Sequence, residues 1–325
     1  MNGVASIFIL PSTTMKITAD GHKQLTLQLT ETHQGKTILD VLVATFPSYP
    51  EQSFVDACAA GHVKIDGAVA ESASKLVAGS VLEYLVPMQE EPEVDTHIEI
   101  MYEDEHLAVI NKPSNLPCHP SGSYFKNTLI ELLKDKYGFS EAFMVNRLDR
   151  ETSGIVIVAK SQEGASLLGK ALMEHGFEKH YLVKVVGEWK HASTYVARGY
   201  IWLERGTVVR KKRVFSETEQ RGQECVTELR LISTDGKHSL VEATPITGRP
   251  HQIRATMKAL GYPVVGDKLY GVDETIYARM AAHEMTDEDW ARLEAPNQAL
   301  HSWRTSFINP YTGKRMEFEA KCWFC

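Results

Sequence analysis

A run of β-branched residues, Ile155–Val158, follows a glycine near the middle of the chain and is preceded by the charged sequence RLDRET. An unbroken apolar run of this kind is typical of a strand that is buried on both faces. The five residues from Arg147 to Glu151 carry four charges. Charges so close to a core are costly unless they are paired or used in chemistry. The stretch therefore predicts a buried strand with a charged functional loop at its start.

Length and composition indicate a globular protein of two or three domains. The chain has 325 residues, of which 43% are hydrophobic and 24% are charged, enough to build ordinary cores. No apolar run approaches the ~18 residues of a membrane-spanning helix, and the run ASIFIL before Pro11 lacks the basic flank of a signal peptide. We therefore predict a cytoplasmic protein that contacts no membrane.

The five cysteines are an odd number and predict no disulfide framework. Cys322 and Cys325 form a CxxC motif near the C-terminus, but the sequence offers no second ligand pair with which they could bind zinc. We expect these two residues to be reduced thiols and predict no metal site.

The net charge of −7 argues against a nucleic-acid partner only until its distribution is considered. Between Lys36 and Asp95 there are three lysines and ten carboxylates, so this segment alone accounts for the whole net charge. The rest of the chain is neutral in sum and contains a basic cluster, RGTVVRKKR, from Arg205 to Arg213. This basic cluster fits a solvated hairpin face and a phosphate-contacting loop equally well.

The first 87 residues predict two small elements. Residues 15–29 predict a hairpin with a turn at Asp20-Gly21, and residues 1–35 are assigned to an N-terminal β extension. Two helices are predicted next, at TILDVLVATFP and SFVDACAAG, and then short strands around an Asp66-Gly67 turn. With its sequence GHVKIDG, this order resembles the S4-like RNA-binding module, to which residues 36–87 are assigned. Its acidic charge is unlike the basic surface that such a module presents to phosphate. Residues 88–97 are predicted to form an acidic linker.

From residue 98 onward, predicted strands and helices alternate. IEIMYEDEHLAVINKP predicts two strands, and NTLIELLKDKYG predicts a helix that Asn127 or Thr128 could cap and Gly138 ends. IVIVAK and SQEGASLLGKALMEHG predict a strand and an amphipathic helix with Ser161 as its N-cap. Further strands are predicted at KHYLVKVVGEW, RKKRVF and CVTELRLIS. The predicted fold class is α+β, with a large mixed, mainly antiparallel sheet flanked by helices and a small N-terminal α/β module.

One segment, GASLLGKA from Gly164 to Ala171, is close to a nucleotide-binding P-loop. Ala171 stands where the motif needs a hydroxyl for magnesium, and Leu168, Leu172 and Met173 give the segment a helical stripe. The chain also contains no G-x-G-x-x-G motif. The sequence therefore predicts neither a nucleotide nor a dinucleotide cofactor.

The stretch Asn146–Gly154, NRLDRETSG, resembles the signature His-Arg-Leu-Asp-Arg-x-Thr-Ser-Gly of the RluA-type pseudouridine synthases. Four further blocks resemble the other motifs of this family, in the family's order: NKPSNLPCHPSG (111–122), EKHYLVKVVG (178–187), TGRPHQIRATMKALGYPVVGDKLYG (247–271) and LHSWRTSFINPYTG (300–313). The resemblance assigns residues 98–325 to a pseudouridine synthase catalytic domain. It implies an isomerase that acts on uridines of structured RNA, ribosomal or transfer, with no cofactor; we expect a monomer.

The implied reaction breaks the C1′–N1 bond of a uridine, turns the base and rejoins it through C5. By resemblance, Asp149 is the ionised carboxylate that acts as nucleophile or as base, and Arg254 is the guanidinium that lowers its pKa. Tyr181 is the aromatic residue that packs on the target base and can take the C5 proton. If the loop is extended, Arg147, Asp149 and Glu151 share one face. Arg147 would then contact the substrate or fill the vacated stack.

The target base must leave its stack, which costs a few kcal/mol and costs least in a loop or bulge. We therefore expect an RNA with a deformable target, held by its shape and its phosphates. The predicted RNA-contacting residues are Lys112, Arg147, Arg150, Lys179, Arg249, His251 and, within the basic cluster, Arg210, Lys211 and Lys212.

Three positions depart from the family's pattern. Asn146 replaces a histidine, which removes a titratable group but keeps hydrogen-bonding atoms. Asn115 stands where a glycine is common, and asparagine tolerates positive φ better than most residues. Pro250 replaces a threonine and removes a backbone donor. None of these changes affects the three residues that the implied reaction needs.

Two other functions are compatible with parts of this sequence. A non-catalytic RNA-binding protein on the same fold would explain the acidic N-terminal module and the substituted Asn146. A glycoside hydrolase could use Asp149 with Glu151, because alternate residues of a strand can place two carboxyls about 5–10 Å apart. The surrounding arginines suit phosphate better than a neutral sugar.

Overall fold

The computed structural model describes residues 13–17, 23–46, 51–86, 91–121, 124–174, 177–207, 209, 211–273, 275–282 and 284–325. The chain divides into two compact units, Met1–Pro92 with Ser121–Phe125, and Glu93–Pro120 with Lys126–Cys325. The boundary after Pro92 falls inside the segment 88–97 that the sequence predicts as a linker. No pattern in the sequence indicates that 121–125 belongs to the first unit.

The first unit is a five-stranded antiparallel sheet with two helices. Its elements are β1 (Thr13–Ile17), β2 (Lys23–Gln28), a 3-10 turn (Glu31–His33), α1 (Ile38–Thr45), α2 (Glu51–Ala59), β3 (Val63–Ile65), β4 (Ala68–Val69) and β5 (Val81–Val86). The strand order is β1-β2-β5-β3-β4. The core lies between the sheet and both helices and includes Leu27, Leu42, Phe54 and Leu82.

The hairpin that the sequence predicts near the N-terminus is present, since β1 pairs antiparallel with β2. Its predicted turn at Asp20-Gly21 lies outside the described residues. Strand β2 also pairs along its whole length with β5. The predicted extension (1–35) and the predicted S4-like module (36–87) therefore contribute strands to one sheet, and the boundary between residues 35 and 36 is not a boundary between folding units. The S4-like assignment stays a prediction.

The second unit contains an eleven-stranded sheet with helices. Its elements are β6 (Glu99–Glu103), β7 (Leu107–Lys112), α3 (Leu129–Tyr137), β8 (Phe143–Met144), β9 (Ser153–Ala159), α4 (Gln162–Glu174), β10 (Glu178–Val186), β11 (Thr194–Leu203), β12 (Arg213–Ser216), β13 (Gln223–Thr234), β14 (His238–Pro245), α5 (Gln252–Ala259), α6 (Ile276–Ala282), α7 (Asp287–Leu293), β15 (Leu300–Ile308) and β16 (Arg315–Glu319). The sheet runs β12-β11-β13-β14-β10-β15-β9-β7-β6, with β16 beside β15 and β8 beside β9. The β9–β15 pair is parallel and the other described pairs are antiparallel, which confirms the predicted α+β fold class.

Strand β9 is the buried strand that the run Ile155–Val158 predicts. All seven of its residues are buried. Val156 and Val158 pack into a core with α3, whereas Ile155 and Ile157 pack into a second core with α4. Successive side chains of a strand point to opposite faces, so a strand between two cores must be apolar at every position.

The helices that flank β9 begin and end where the sequence indicates. Thr128, not Asn127, caps α3 by accepting from the amide of Glu131, and Gly138 ends α3 in the left-handed conformation. The hydroxyl of Ser161 accepts from the amide of Gly164 at the start of α4. The P-loop-like segment Gly164–Ala171 lies inside α4, as its helical stripe predicts.

The cysteines differ in part from the prediction. Cys58, Cys118 and Cys225 are free and buried. Cys322 and Cys325 are joined by a disulfide, so the prediction of two reduced thiols is wrong; the short turn brings the two sulfurs together. Among the described residues, no helix is both long enough and apolar enough to cross a membrane.

Strand β15 connects two parts of the chain that are far apart in sequence. Ser302 of β15 pairs with Gly154 at the start of β9 and with Tyr181 of β10. Gly154 has φ +106°, and a Cβ there would overlap the backbone carbonyl of Ser302. The glycine that ends the charged signature is therefore required for the close approach of β9 and β15.

Replacing Gly154 with alanine should lower the free energy of unfolding by roughly 2–5 kcal/mol, because the added methyl group is both strained and overpacked. Urea denaturation measures the change. Gly169→Ala is the matched control, since a Cβ at Gly169 in α4 meets no atom within 4 Å and should stabilise the helix by about 0.5–1 kcal/mol. Equal losses in both variants would contradict this account of the β9–β15 contact.

Candidate active site

An ion pair between Asp149 and Arg254 lies at the start of β9. Nη1 of Arg254 donates to Oδ2 of Asp149 at 2.6 Å. The arginine side chain is 9% exposed and the carboxylate 33% exposed, so Asp149 is the member of the pair that a substrate can reach. Burial, the largest single influence, raises the pKa of Asp149, but the charge and the hydrogen bond of Arg254, together with His251, outweigh it and hold the pKa below its usual range. Asp149 is therefore ionised at neutral pH.

A second carboxylate, Asp267, holds Arg254 in place. Nε of Arg254 donates to Oδ2 of Asp267 at 2.7 Å, and Nη2 donates to Oδ1 at 2.9 Å. Oδ1 also accepts from the amides of Leu269 and Tyr270, and Asp267 is completely buried. The fork of the guanidinium is thus fixed on one carboxylate, and its remaining Nη1 points at the other. The sequence analysis did not identify Asp267. The need of a buried arginine for a carboxylate partner could have pointed to it, once Arg254 was expected to be buried.

His251 lies on the other side of Asp149. Its Nε2 is 3.8 Å from Oδ1 of Asp149, and its Nδ1 is 2.9 Å from the hydroxyl of Tyr270. Burial lowers the pKa of His251 to about 4, so the imidazole is neutral at pH 7. The sequence predicts an RNA contact for His251, and the structure places its ring against the carboxylate.

Tyr181 occupies β10 with its ring between two cores. It packs against the residues around β14 and α5 and against those around α3. Burial raises the pKa of its phenol to about 12, and the charge of Asp149 acts in the same direction. Both effects favour the neutral phenol, which is therefore protonated at neutral pH.

The backbone turns between Asp149 and Thr152, so the stretch is not extended throughout and Glu151 does not share a face with Asp149, as it would in an extended loop. The amide of Thr152 donates to the carbonyl of Asp149. This turn sends Glu151 into the interior, where it accepts from Nζ of Lys268 at 2.8 Å and from Arg150 at 2.7 Å. Glu151 is buried and paired, so it does not share a sugar site with Asp149.

Lys112 is buried beneath this loop and is not an RNA contact, which corrects the prediction. It is completely buried and its ammonium donates to the carbonyls of Pro113, Leu116 and Arg150 at 2.8–3.2 Å. Burial lowers its pKa to about 8. Because the three acceptors come from two segments, the ammonium joins residues 113–116 to the loop that carries Asp149.

Cys118 fastens the same loop one residue before Asp149. Its thiol donates to the carbonyl of Leu148 at 3.3 Å and accepts from the amide of Leu148 at 3.4 Å. The thiol and Leu148 are both buried. Lys112 and Cys118 of the block 111–122 therefore support the loop that carries Asp149.

The other predicted RNA-contacting residues differ in exposure. Lys212 is buried and paired with Glu204 at 2.9 Å, so it does not lie on the surface as predicted. Nε of Arg249 donates to the carbonyl of Glu224. Arg147 and Lys211 are exposed, Arg150 and Lys179 are half-buried, and Arg210 lies outside the described residues.

The two asparagines that depart from the family's pattern have structural roles. Oδ1 of Asn146 accepts from the amide of Ile157 at 2.7 Å, and its Nδ2 donates to the carbonyl of Ile155. It therefore ties the loop to β9 by hydrogen bonds that need no titratable group. Asn115 has φ +56°, which confirms that asparagine accommodates the turn.

Comparison with known proteins agrees with this geometry. The family of RNA pseudouridylate synthases matches residues 106–259, a range that contains Asp149, Tyr181 and Arg254. The chain is 32% identical over 244 residues to the mitochondrial tRNA pseudouridine(32) synthase of Saccharomyces cerevisiae, covering 75% of this chain and 52% of that protein. It is 32% identical to the ribosomal large subunit pseudouridine synthase D of Zymomonas mobilis, covering 72% of each. The chain belongs to the RNA pseudouridylate synthase family.

The coverage of the relatives varies. The chain spans about half the length of the yeast protein, 60% of the RNA pseudouridine synthase 7 of rice and 82% of the ribosomal large subunit synthase D of Xylella fastidiosa, to which it is 31% identical. Among solved structures, human RNA pseudouridylate synthase domain containing 1 shares 22% identity with a TM-score of 0.55, covering 71% of this chain and 86% of that chain. This likeness shows the same fold.

Replacing Asp267 with asparagine should lower the free energy of unfolding by roughly 3–5 kcal/mol, because breaking a buried ion pair leaves charge without compensation. Urea denaturation at pH 7 measures the loss. Glu317→Gln is the control, since Glu317 pairs with Arg315 where both side chains are largely exposed, and should cost at most about 1 kcal/mol.

The same variant should alter the pH dependence of stability. Burial raises the pKa of Asp267, but Arg254 and two backbone amides more than offset this and hold the pKa below its usual range. The stability that Asp267 contributes is therefore present above its unfolded pKa of about 3.9 and is lost as the pH falls through the folded pKa. The difference between wild type and Asp267→Asn should shrink as the pH falls below about 4, and a constant difference would contradict the ion-pair account.

Proposed function

We propose that this protein is an RNA pseudouridine synthase that isomerises uridines of structured RNA without a cofactor. The observation that carries the proposal is an ionised and accessible Asp149, held by Arg254, inside the region that matches the synthase family. The relatives include proteins named for transfer RNA and for the large ribosomal subunit, so either RNA is a candidate substrate. Action in the cytoplasm and as a monomer are further parts of this proposal.

The geometry suits a reaction that needs one carboxylate and no redox step. Oδ2 of Asp149 is occupied by Arg254, which leaves Oδ1 for the substrate. Oδ1 can attack C1′ as the N1 bond breaks, or it can abstract a proton from the sugar; both routes need an ionised carboxylate. After the base turns, C5 bonds to C1′, the C5 proton leaves and N1 is protonated, so product and substrate are isomers.

Tyr181 suits one of its two predicted roles better than the other. Its pKa of about 12 keeps the phenol protonated, and a protonated phenol cannot take the C5 proton. Its flat, half-buried ring can pack against the uracil. In this proposal Tyr181 therefore positions the base. The carboxylate of Asp149, after it has been released from C1′, is the better acceptor for the C5 proton.

The half-buried Lys179 is a candidate phosphate ligand. It lies two residues before Tyr181 on β10, next to the register shift between His180 and Tyr181 in the pairing with β15. Its ammonium is 4.9 Å from the centre of the Phe177 ring and has no carboxylate partner among the described residues. Burial lowers its pKa, and a phosphate beside it would compensate a charge that has no carboxylate partner in the described part of the chain. Arg147, which is exposed at the start of the loop, is the corresponding candidate on the other side of Asp149.

Purified protein added to cellular RNA with no cofactor should generate pseudouridine, and Asp149→Asn should reduce its formation to background because a neutral amide is neither nucleophile nor base. Mass spectrometry of digested RNA measures the product. Asp135→Asn is the control, since Asp135 forms an exposed pair with Lys126 on α3, and this variant should keep full activity.

The same experiment separates the main alternative. If the protein is a non-catalytic RNA-binding protein, the wild type and Asp149→Asn should both bind RNA, and neither should yield pseudouridine from any RNA tested. Activity retained by Asp149→Asn would end the assignment of this carboxylate. If Asp149→Asn and Asp135→Asn bind RNA with equal affinity and only Asp149→Asn loses the product, the proposal is supported.

Replacing Lys179 with methionine should weaken RNA binding with little change in kcat, because a phosphate contact positions the substrate and does not react. The slope of log K against log salt should fall by about 0.7, the value for one contact to a single strand. Fluorescence anisotropy with a labelled stem-loop RNA measures this slope. Lys184→Met, further along the same strand, should leave the slope unchanged; an unchanged slope in Lys179→Met would remove Lys179 from the interface.

A further inference from the structure

The two oxygens of Asp149 have different neighbours. Oδ2 accepts from Arg254, whereas Oδ1 faces Nε2 of His251 at 3.8 Å, which is longer than a hydrogen bond. A neutral imidazole carries its hydrogen on one nitrogen and a lone pair on the other. The tautomer of His251 therefore decides whether a hydrogen or a lone pair faces the reactive carboxylate.

Tyr270 determines that tautomer. Its hydroxyl oxygen accepts from the backbone amide of Arg213 at 2.8 Å and lies 2.9 Å from Nδ1 of His251. The residue is 1% exposed, and burial raises the pKa of its phenol, so the hydroxyl keeps its hydrogen. In the described part of the chain, Nδ1 of His251 is the acceptor within reach of that hydrogen. If Nδ1 accepts, the hydrogen of the imidazole is on Nε2.

We propose that Tyr270 is a positioning residue that fixes His251 as the Nε2–H tautomer, so that a neutral donor faces Oδ1 of Asp149. At 3.8 Å a neutral Nε2–H makes no hydrogen bond to the carboxylate but directs the positive end of its dipole at Oδ1. It does so without transferring a proton, so Asp149 stays ionised. The opposite tautomer would direct a lone pair at the carboxylate and repel it. This inference rests on the proposed function of Asp149.

The backbone of His251 supports this role. Its φ is +58°, in the left-handed region that residues other than glycine rarely adopt. His251 immediately precedes α5, yet its side chain makes no capping hydrogen bond. The strained backbone instead directs the ring between the hydroxyl of Tyr270 and the carboxylate of Asp149. Strain of this kind persists where the surrounding contacts hold it, as is common at active sites.

The experiment has a spectroscopic arm that needs no substrate. In protein labelled with ¹⁵N-histidine, two-dimensional ¹H–¹⁵N correlation spectra distinguish a protonated from an unprotonated ring nitrogen, and His251→Gln assigns the signal. Wild-type protein at pH 7 should show His251 with Nδ1 unprotonated and Nε2 protonated. Tyr270→Phe removes the hydrogen bond to Nδ1, and a mixture of tautomers or the Nδ1–H form should result.

The kinetic arm measures the consequence for the reaction. Tyr270→Phe should lower kcat by about tenfold, the effect of one lost hydrogen bond, with KM changed little because no contact to RNA is removed. Tyr262→Phe is the matched control: this tyrosine is also buried and its hydroxyl also accepts a backbone amide, that of Lys190. In a His251→Ala background, Tyr270→Phe should lower kcat no more than Tyr262→Phe does.

The outcomes separate this proposal from the proposed function. A protonated Nδ1 in the wild-type spectrum overturns it even if the enzyme is active, and this holds if Tyr270→Phe fails to fold. A tautomer that is unchanged in folded Tyr270→Phe, or an equal loss of kcat with and without His251, also overturns it. If no RNA yields pseudouridine, the proposed function fails while the spectra still decide the tautomer.

Discussion

The guanidinium of Arg254 lies between two carboxylates, those of Asp149 and Asp267. Arg254 uses two of its nitrogens on the buried Asp267 and the third on the accessible Asp149. A buried arginine needs a partner to offset its desolvation, and Asp267 supplies it without blocking the nitrogen that faces Asp149. Asp267 compensates part of the positive charge of Arg254, and the same guanidinium still keeps Asp149 ionised. The position and the charge state of the proposed reactive group both depend on this arrangement.

The charges that precede strand β9 are explained by their separate partners. Asp149 is directed to Arg254, Glu151 to Lys268, and Arg150 to Glu151, while Arg147 stays at the surface. Beneath them the ammonium of Lys112 donates hydrogen bonds to three backbone carbonyls. Each of the buried charged groups in this loop thus has a partner, which offsets the cost of removing it from water. These ion pairs and hydrogen bonds offset the cost of bringing charged side chains to the edge of a core.

Much of the fold could be predicted from local patterns, because those patterns report local physics. The apolar run of β9 indicates burial on both faces, and Thr128, Ser161 and Gly138 cap helices through contacts within a few residues. The predictions that proved wrong concern what individual side chains contact, even where the partner is close in the chain, as Glu204 is to Lys212 and Cys325 is to Cys322. Lys112 and Lys212 look like surface cations in a one-dimensional pattern, but their partners bring both inside.

By itself, the sequence determined the fold class and the family, since ordered motifs and periodicity are properties of the chain alone, and it nominated Asp149, Tyr181 and Arg254 as the site residues that we propose. Only the tertiary structure decided what each side chain contacts. Asp149 and Arg254 are 105 residues apart in the chain, and Asp267, His251 and Tyr270 acquire their roles through that approach. The physical reason is that secondary structure depends on neighbouring residues, whereas the charge state and hydrogen bonding of a side chain depend on the groups that folding brings within a few ångströms of it.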